Sequence, residues 1–208
     1  ALSDLACFSF HPVKTIAMGE GGAITTKDET LADAMRRDRS HGLVRDVRPD
    51  EPWAYELNEP GFNYRVPDIL CALGLSQLKK LARFTAQRSR LVALYREQLQ
   101  PLAGLVAPVP DARHGDPAWH LFAVHVEFPK AGLDRAALMA RLAERGIGSQ
   151  VHYMPVHRQP YYAARCAALD LPGADAYYAK CLSLPLFAAM TEADVARVVQ
   201  ALAQSLGV

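Results

Sequence analysis

Ser9-Phe10-His11-Pro12-Val13-Lys14-Thr15-Ile16, followed two residues later by Gly19-Glu20-Gly21-Gly22-Ala23, is the stretch on which the reading of this chain turns. The apolar run Leu5 to Phe10 leads into it and a second run, Ala23-Ile24-Thr25-Thr26, leaves it. That pattern predicts two strands joined by a glycine-rich loop, at the edge of a larger sheet. Lys14 sits a few residues past the first strand, where poor solvation would weaken its preference for the charged form and free the amine as a nucleophile. Ser9 and His11 add a hydroxyl and an imidazole, and the glycines let backbone N–H groups approach an anion closely. From these residues alone two readings stand: a lysine-centred site near an anionic group, and a surface turn with a solvated lysine.

Outward from this block, Asp28 is a helix cap for a segment running to Arg39 and stopped by His41-Gly42. Residues 43 to 62 read as a loop, with Pro49, Pro52 and Pro60, closing on Gly61-Phe62-Asn63-Tyr64-Arg65. Pro67 and Asp68 open a long apolar periodicity that continues to Leu99, which predicts a helix of about thirty residues, roughly 45 Å long. Such length calls for a kink or a role bridging two domains. After the proline-rich stretch 101 to 117 the order is strand (120–128), helix (134–144, stopped by Gly146), strand (148–153), a loop with Pro155 and Pro160, and a closing helix announced by Thr191-Glu192-Ala193-Asp194. This β-α-β-α order reads as a small α+β or α/β domain.

The 208 residues are half hydrophobic, enough to bury a real core. A formal net charge of +1 offers no electrostatic argument for nucleic acid or an anionic membrane. No apolar stretch reaches the roughly 18 residues of a membrane span, and the first ten residues lack a secretory pattern. Cys7, Cys71, Cys166 and Cys181 form no CxxC pair and read as reduced thiols of a cytoplasmic protein. His152 and His157 flank Met154-Pro155 with no third ligand at metal spacing, so no metal is expected; the wall of a binding cleft and an ordinary surface loop are the readings left.

Ser-Phe-His-Pro-Val-Lys followed by Gly-Glu-Gly-Gly-Ala resembles the cofactor-lysine region of the DegT-type sugar-nucleotide aminotransferases, which are fold-type-I enzymes dependent on pyridoxal 5′-phosphate (PLP). Gly61-Phe62-Asn63-Tyr64-Arg65, with Asp68 and the helix Ala72-Leu73-Gly74-Leu75-Ser76-Gln77-Leu78, is similar to the same family at the same distance. So is Gln150-Val151-His152-Tyr153-Met154-Pro155-Val156-His157 with Gln159-Pro160-Tyr161-Tyr162. The resemblance implies an α/β fold: residues 1–65 as the end of the large PLP-binding domain, 66–100 as a connecting helix and 101–208 as a small C-terminal domain. It implies that Lys14 carries PLP covalently and then acts as general base and acid, and that Ser9 binds the PLP phosphate. Asn63 would reach the phosphate of a PLP held by the neighbouring subunit of a homodimer, His11 would line the pocket, and Arg65 would face a nucleotide diphosphate. His152, Tyr153 and His157 fall in the family's substrate segment. That segment looks closest to enzymes moving an amino group from glutamate to C4 of a UDP-4-keto-6-deoxy-N-acetylhexosamine, by ping-pong kinetics. Family dehydratases carry histidine where this chain has Lys14, which favours amine transfer.

Ahead of the block matching Ser9, family members also carry a ring-stacking aromatic residue, a glycine-threonine phosphate turn and an aspartate for the pyridine nitrogen. None precedes Ser9 here, so the chain is expected to be part of a complete enzyme and not fully active alone. The rival expectations are an aminotransferase for another keto-sugar nucleotide and a non-catalytic sugar-nucleotide-binding chain.

Overall fold

The computed structural model describes residues 3–45, 48–110, 117–165 and 169–208. The chain is α/β and divides into two compact units, Ala1–Leu81 and Ala82–Val208. In the first, strands β1 (Leu5–Ser9) and β2 (Gly22–Thr26) form an antiparallel pair with Leu5 opposite Thr26 and Ser9 opposite Gly22. Helix α1 (Glu29–Asp38) starts where the sequence predicts, with the Asp28 side chain accepting from the Leu31 N–H. It ends at Arg39, and the chain turns through His41 and Gly42, both at positive φ.

The stretch read as a loop holds two short antiparallel strands, β3 (Leu43–Arg45) and β4 (Tyr55–Leu57). Three residues apiece, separated by prolines, are too few to show period-2 alternation. The expected long helix is two helices, α2 (Asp68–Leu78) and α3 (Leu81–Gln98). Neither proline nor glycine marks the break. Lys80 donates to the Gln77 carbonyl at 2.9 Å, an i→i−3 bond that tightens and closes the last turn of α2.

The second unit is built on an antiparallel three-stranded sheet in the order β5 (Val106–Pro108), β6 (Phe122–Val126), β7 (Cys181–Leu184). Between β6 and β7 lie α4 (Phe128–Ala131), α5 (Arg135–Glu144), α6 (Pro160–Ala163) and α7 (Pro172–Lys180); α8 (Glu192–Leu206) closes the chain. Asp134 caps α5, accepting from the Ala137 N–H, and the capping signal expected at Thr191 holds: Thr191 and Asp194 form a reciprocal capping box. The strand expected over 148–153 is reduced to one bridge, Gln150 to Ser183, because the next N–H, of Val151, bonds the Gln150 side chain instead. The partner of that bridge, β7, was not expected from the sequence.

Phe122, Val124 and Val126 of β6 and Leu182 and Leu184 of β7 point to one face and build the core with Leu91, Tyr95, Leu138, Val195 and Leu202. Tyr95 is fully buried, its ring stacked on Phe122 at 4.6 Å and its hydroxyl donating to the Pro185 carbonyl at 2.8 Å. Burial, with the Asp194 charge adding to it, pushes the Tyr95 hydroxyl far above its ordinary range.

On the opposite face lie His125 and, directly across on β7, Cys181. The His125 ring meets Tyr177 edge-on, and its Nε2 has no hydrogen-bond partner among the described residues. Burial lowers its pKa from the ordinary 6.5; the Lys180 charge lowers it further and Glu127 opposes. The folded chain therefore binds this proton more weakly than the unfolded chain, so falling pH favours unfolding. We expect stability to fall as pH drops below about 6.5. His125→Phe, which keeps the contact with Tyr177, should flatten urea-unfolding midpoints between pH 7 and 5; an unchanged slope would refute the assignment.

Candidate active site

Lys14 sits in a loop that folds back on itself. The Phe10 N–H donates to the Gly21 carbonyl at 2.9 Å and the Met18 N–H to the Phe10 carbonyl at 2.9 Å, closing the base of the loop. Inside it the Lys14 N–H donates to the His11 carbonyl at 2.9 Å, and the Val13 N–H to His11 Nδ1 at 3.3 Å. Ile16 and Met18 are buried and anchor the far side, while Lys14 is half-buried. The glycines are required by close approach: a Cβ at Gly22 would lie 2.6 Å from the Phe8 carbonyl oxygen, and one at Gly21, where φ is +150°, 2.9 Å from Met18 Cε. Helix α2 presses on the same loop, since a Cβ on Gly74 would sit 3.3 Å from Met18 Sδ. The sequence therefore places small residues where α2 and the Lys14 loop meet.

The Gly61–Arg65 segment is laid along the end of α1. Phe62 donates to Asp38 at 2.6 Å, His41 to Phe62 at 2.8 Å and Tyr64 to Arg39 at 3.0 Å, all backbone to backbone, with Asn63 bridging Ser40. Gly61 has no room for a side chain, because a Cβ there would lie 2.3 Å from the Gly42 nitrogen. The Phe62 and Tyr64 rings stack at 4.6 Å, so the alternate residues Asn63 and Arg65 are left on the other side of the extended segment, exposed. Ser9 and His11 are exposed too; His11 Nε2 lies 3.7 Å from Glu20 Oε1.

In the second unit a cavity of about 650 Å³ is lined by the Gly146–Gln150 turn, His152, Ser183 and Arg197 among others. Of the three residues singled out in the substrate segment, His152 lines it, with Nδ1 2.8 Å from Ser183 Oγ and its ring edge-on to Tyr153. Tyr153 is 71% exposed. His157 turns elsewhere: its side chain is 11% exposed and its Nε2 lies 3.9 Å from Asp175 Oδ1, which also accepts from Arg158 Nη1 at 3.2 Å. Asp175 thus fastens the segment 156–158 to α7, helped by Arg158 over the Tyr178 ring. Asp175→Asn should speed amide exchange at 156–159 by about two- to fivefold, the worth of an exposed ion pair. An unchanged rate there would show that the pair holds nothing.

Sequence reading passed over Ser183 and Asp175. A serine inside the apolar run Cys181-Leu182-Ser183-Leu184 was the available signal for the first; nothing local marks the second, whose partners lie 17 and 18 residues away. Ser9, His11, Lys14, Asn63 and Arg65 belong to the first unit and His152, Tyr153 and His157 to the second. Among the described residues no group of three or more His, Cys, Asp or Glu could hold a metal, and no helix is long and apolar enough to cross a membrane.

Lys14, Ser9 and Asn63 carry an amine, a hydroxyl and a carboxamide, side chains of the types that would hold a carbonyl- and phosphate-bearing cofactor such as PLP, on a glycine-tightened scaffold. Residues 1–203 match the model of the DegT/DnrJ/EryC1/StrS aminotransferase family, and the chain belongs to that family. It is 38% identical to the spore coat polysaccharide biosynthesis protein SpsC of Bacillus subtilis (strain 168), over 97% of this chain and 53% of the relative. Among solved structures it is similar to Helicobacter pylori PseC, an aminotransferase involved in the biosynthesis of pseudoaminic acid, with 27% identity, a TM-score of 0.89, and 99% of this chain and 54% of that one covered. It is also similar to DesV of S. venezuelae, solved in complex with a ketimine intermediate, at 31% identity, a TM-score of 0.83, and 97% and 51% coverage. The chain spans about half the length of the relatives it matches.

Proposed function

We propose that this chain is part of a PLP-dependent enzyme that moves an amino group from glutamate to C4 of a UDP-4-keto-6-deoxy-N-acetylhexosamine. The observation that carries the reading is Lys14, half-buried in a loop whose glycines and backbone bonds hold it after β1. PLP, when bound, supplies the electron sink and carries the amino group between donor and acceptor. Lys14 Nζ holds the cofactor, then takes a proton from the glutamate α carbon and delivers one to C4 of the sugar. The Ser9 hydroxyl and the Asn63 amide bind phosphate oxygens, His11 lines the pocket, and the Arg65 guanidinium pairs with the diphosphate. His152 and Tyr153 bind the sugar nucleotide, and His157 keeps their segment in place through Asp175.

The working form is a cytoplasmic homodimer in which Asn63 serves the partner's cofactor. Ile69 and Leu75 of α2, 78% and 63% exposed, support a covering partner surface. PseC serves the biosynthesis of pseudoaminic acid and SpsC that of spore coat polysaccharide, so an aminotransferase for another keto-sugar nucleotide is the competing assignment.

The test is incubation with PLP, borohydride reduction and peptide mapping, followed by amination assays across UDP- and GDP-keto-sugars. A single pyridoxyl adduct on Lys14 is expected. Selective labelling at no residue, with stabilisation by UDP-sugars alone, would replace the enzyme by a non-catalytic binding chain.

A further inference from the structure

Arg88, one turn ahead of Leu91 and Val92 on α3, is 6% exposed. Its Nη1 donates to the Leu186 carbonyl at 2.9 Å and to the His120 carbonyl at 3.0 Å. Its Nε is buried with no hydrogen-bond partner, and no carboxylate among the described residues pairs with it. Burial disfavours the charged form, and an apolar side chain of similar volume would fill the space without that cost. What the guanidinium adds is directional: two bonds, to two different segments of chain.

The strand register gives those two bonds their meaning. Ser183 exchanges both of its backbone bonds with Gln150, on the side away from β6. Leu182 and Leu184 are therefore the residues of β7 that bond β6, opposite Val124 and Phe122. The next bonded rung in that register falls at His120 and Leu186, the residues whose carbonyls Arg88 takes. One guanidinium nitrogen thus closes the ladder where backbone N–H groups would have continued it. Leu121, Pro185 and Phe187, which flank the two carbonyls, line the cavity. Tyr95 and Gln87 hold only the β7 side, at Pro185 and Met190, whereas Arg88 joins that side to β6.

We propose that Arg88 is a positioning residue for the cavity: by closing the β6–β7 ladder at His120 and Leu186 it holds Leu121, Pro185 and Phe187 at the spacing the ligand needs. That the ligand is a sugar nucleotide rests on the function proposed above.

The experiment compares the 208-residue chain with Arg88→Met and Arg88→Lys. Urea unfolding reads stability, amide exchange reads the ladder, and calorimetric titration with UDP-N-acetylglucosamine reads the cavity. In Met the unfolding midpoint should be no lower than in the parent, since removing a buried charge offsets the lost bonds. Exchange should quicken about fivefold or more at 120–123 and 184–187 and stay unchanged at 125–126 and 181–182, at the far end of the ladder. Affinity should weaken about tenfold, the worth of one good hydrogen bond, and return to within about threefold in Lys, which keeps a cation with donors. If Met does not fold, Arg88→Gln, too short to span both carbonyls, is read in its place. Unchanged affinity overturns the proposal, and so does affinity lost in step with a lower midpoint and faster exchange throughout the unit, which is a structural role alone. No binding of UDP-N-acetylglucosamine by the parent chain overturns it too; pyridoxyl labelling of Lys14, which does not involve this cavity, then decides separately whether the enzyme reading stands.

Discussion

Lys14→Ala is expected to abolish reducible PLP attachment and to lower amine transfer by at least about a thousandfold. The loss of a positioned general acid and base alone is worth about 10²–10⁴ in rate, and the covalent hold on the cofactor goes with it. The loop should survive the change, because the bonds that shape it are main-chain: Phe10 to Gly21, Met18 to Phe10, and Lys14's own N–H to His11. Ile16 and Met18, which bury the far side, are untouched. Lys14→Arg should be as inactive as Ala, since a guanidinium keeps the charge but not the nucleophilic amine. Borohydride labelling and single-turnover amination measure this directly. Labelling that persists at another lysine in Lys14→Ala, with activity retained, would remove Lys14 from the mechanism.

Tyr95→Ala is expected to destabilise the second unit by about 3–5 kcal/mol, the usual cost of truncating a fully buried aromatic residue. Against a typical domain stability of about 5–15 kcal/mol this brings the unit close to unfolding. Three losses combine: the stacked contact with Phe122, the volume at the centre of the core, and the donor to the Pro185 carbonyl. Tyr95→Phe separates them. It keeps ring and volume and loses the hydroxyl, so it should cost about 1 kcal/mol. Pro185 lines the cavity, and its neighbours are held by the same helix: Arg88 donates to the Leu186 carbonyl at 2.9 Å and Gln87 to the Met190 carbonyl at 3.1 Å. Tyr95→Phe should therefore leave the wall in place. Urea unfolding followed by circular dichroism gives both numbers, and equal costs for Phe and Ala would show the hydroxyl, not the packing, to be decisive.

Helices whose ends carry side-chain caps were legible from sequence, because a cap is a local hydrogen bond. Asp28, Asp134 and Thr191 each accept from a backbone N–H three residues on, and nothing distant is needed to form that bond. That so long a helix calls for a kink was legible, but its place at 79–80 was not: the apolar periodicity runs through it, and no proline or glycine interrupts it. Strand β7 was missed because four residues cannot display a period when both their faces are buried. The strand expected over 148–153 failed for a related reason. Pairing needs a partner all along its length, and here β7 is met at Gln150 alone.

For the site, the sequence by itself determined the family: a lysine between a short strand and a glycine turn, and the order of the three blocks that resemble one family, which the match over residues 1–203 bears out. Motif residues are local, and the glycines among them report where backbone comes close. Gly22 against Phe8 and Gly61 against Gly42 bear that out. Only the tertiary structure decided which residues of the 150–162 segment face a cavity and which face the protein. His152 and His157 are alike in sequence, yet one meets Ser183 at the cavity and the other is turned to Asp175. Their partners lie 31 and 18 residues further along the chain, and burial and hydrogen bonding across such separations are settled by packing, not by neighbours in sequence.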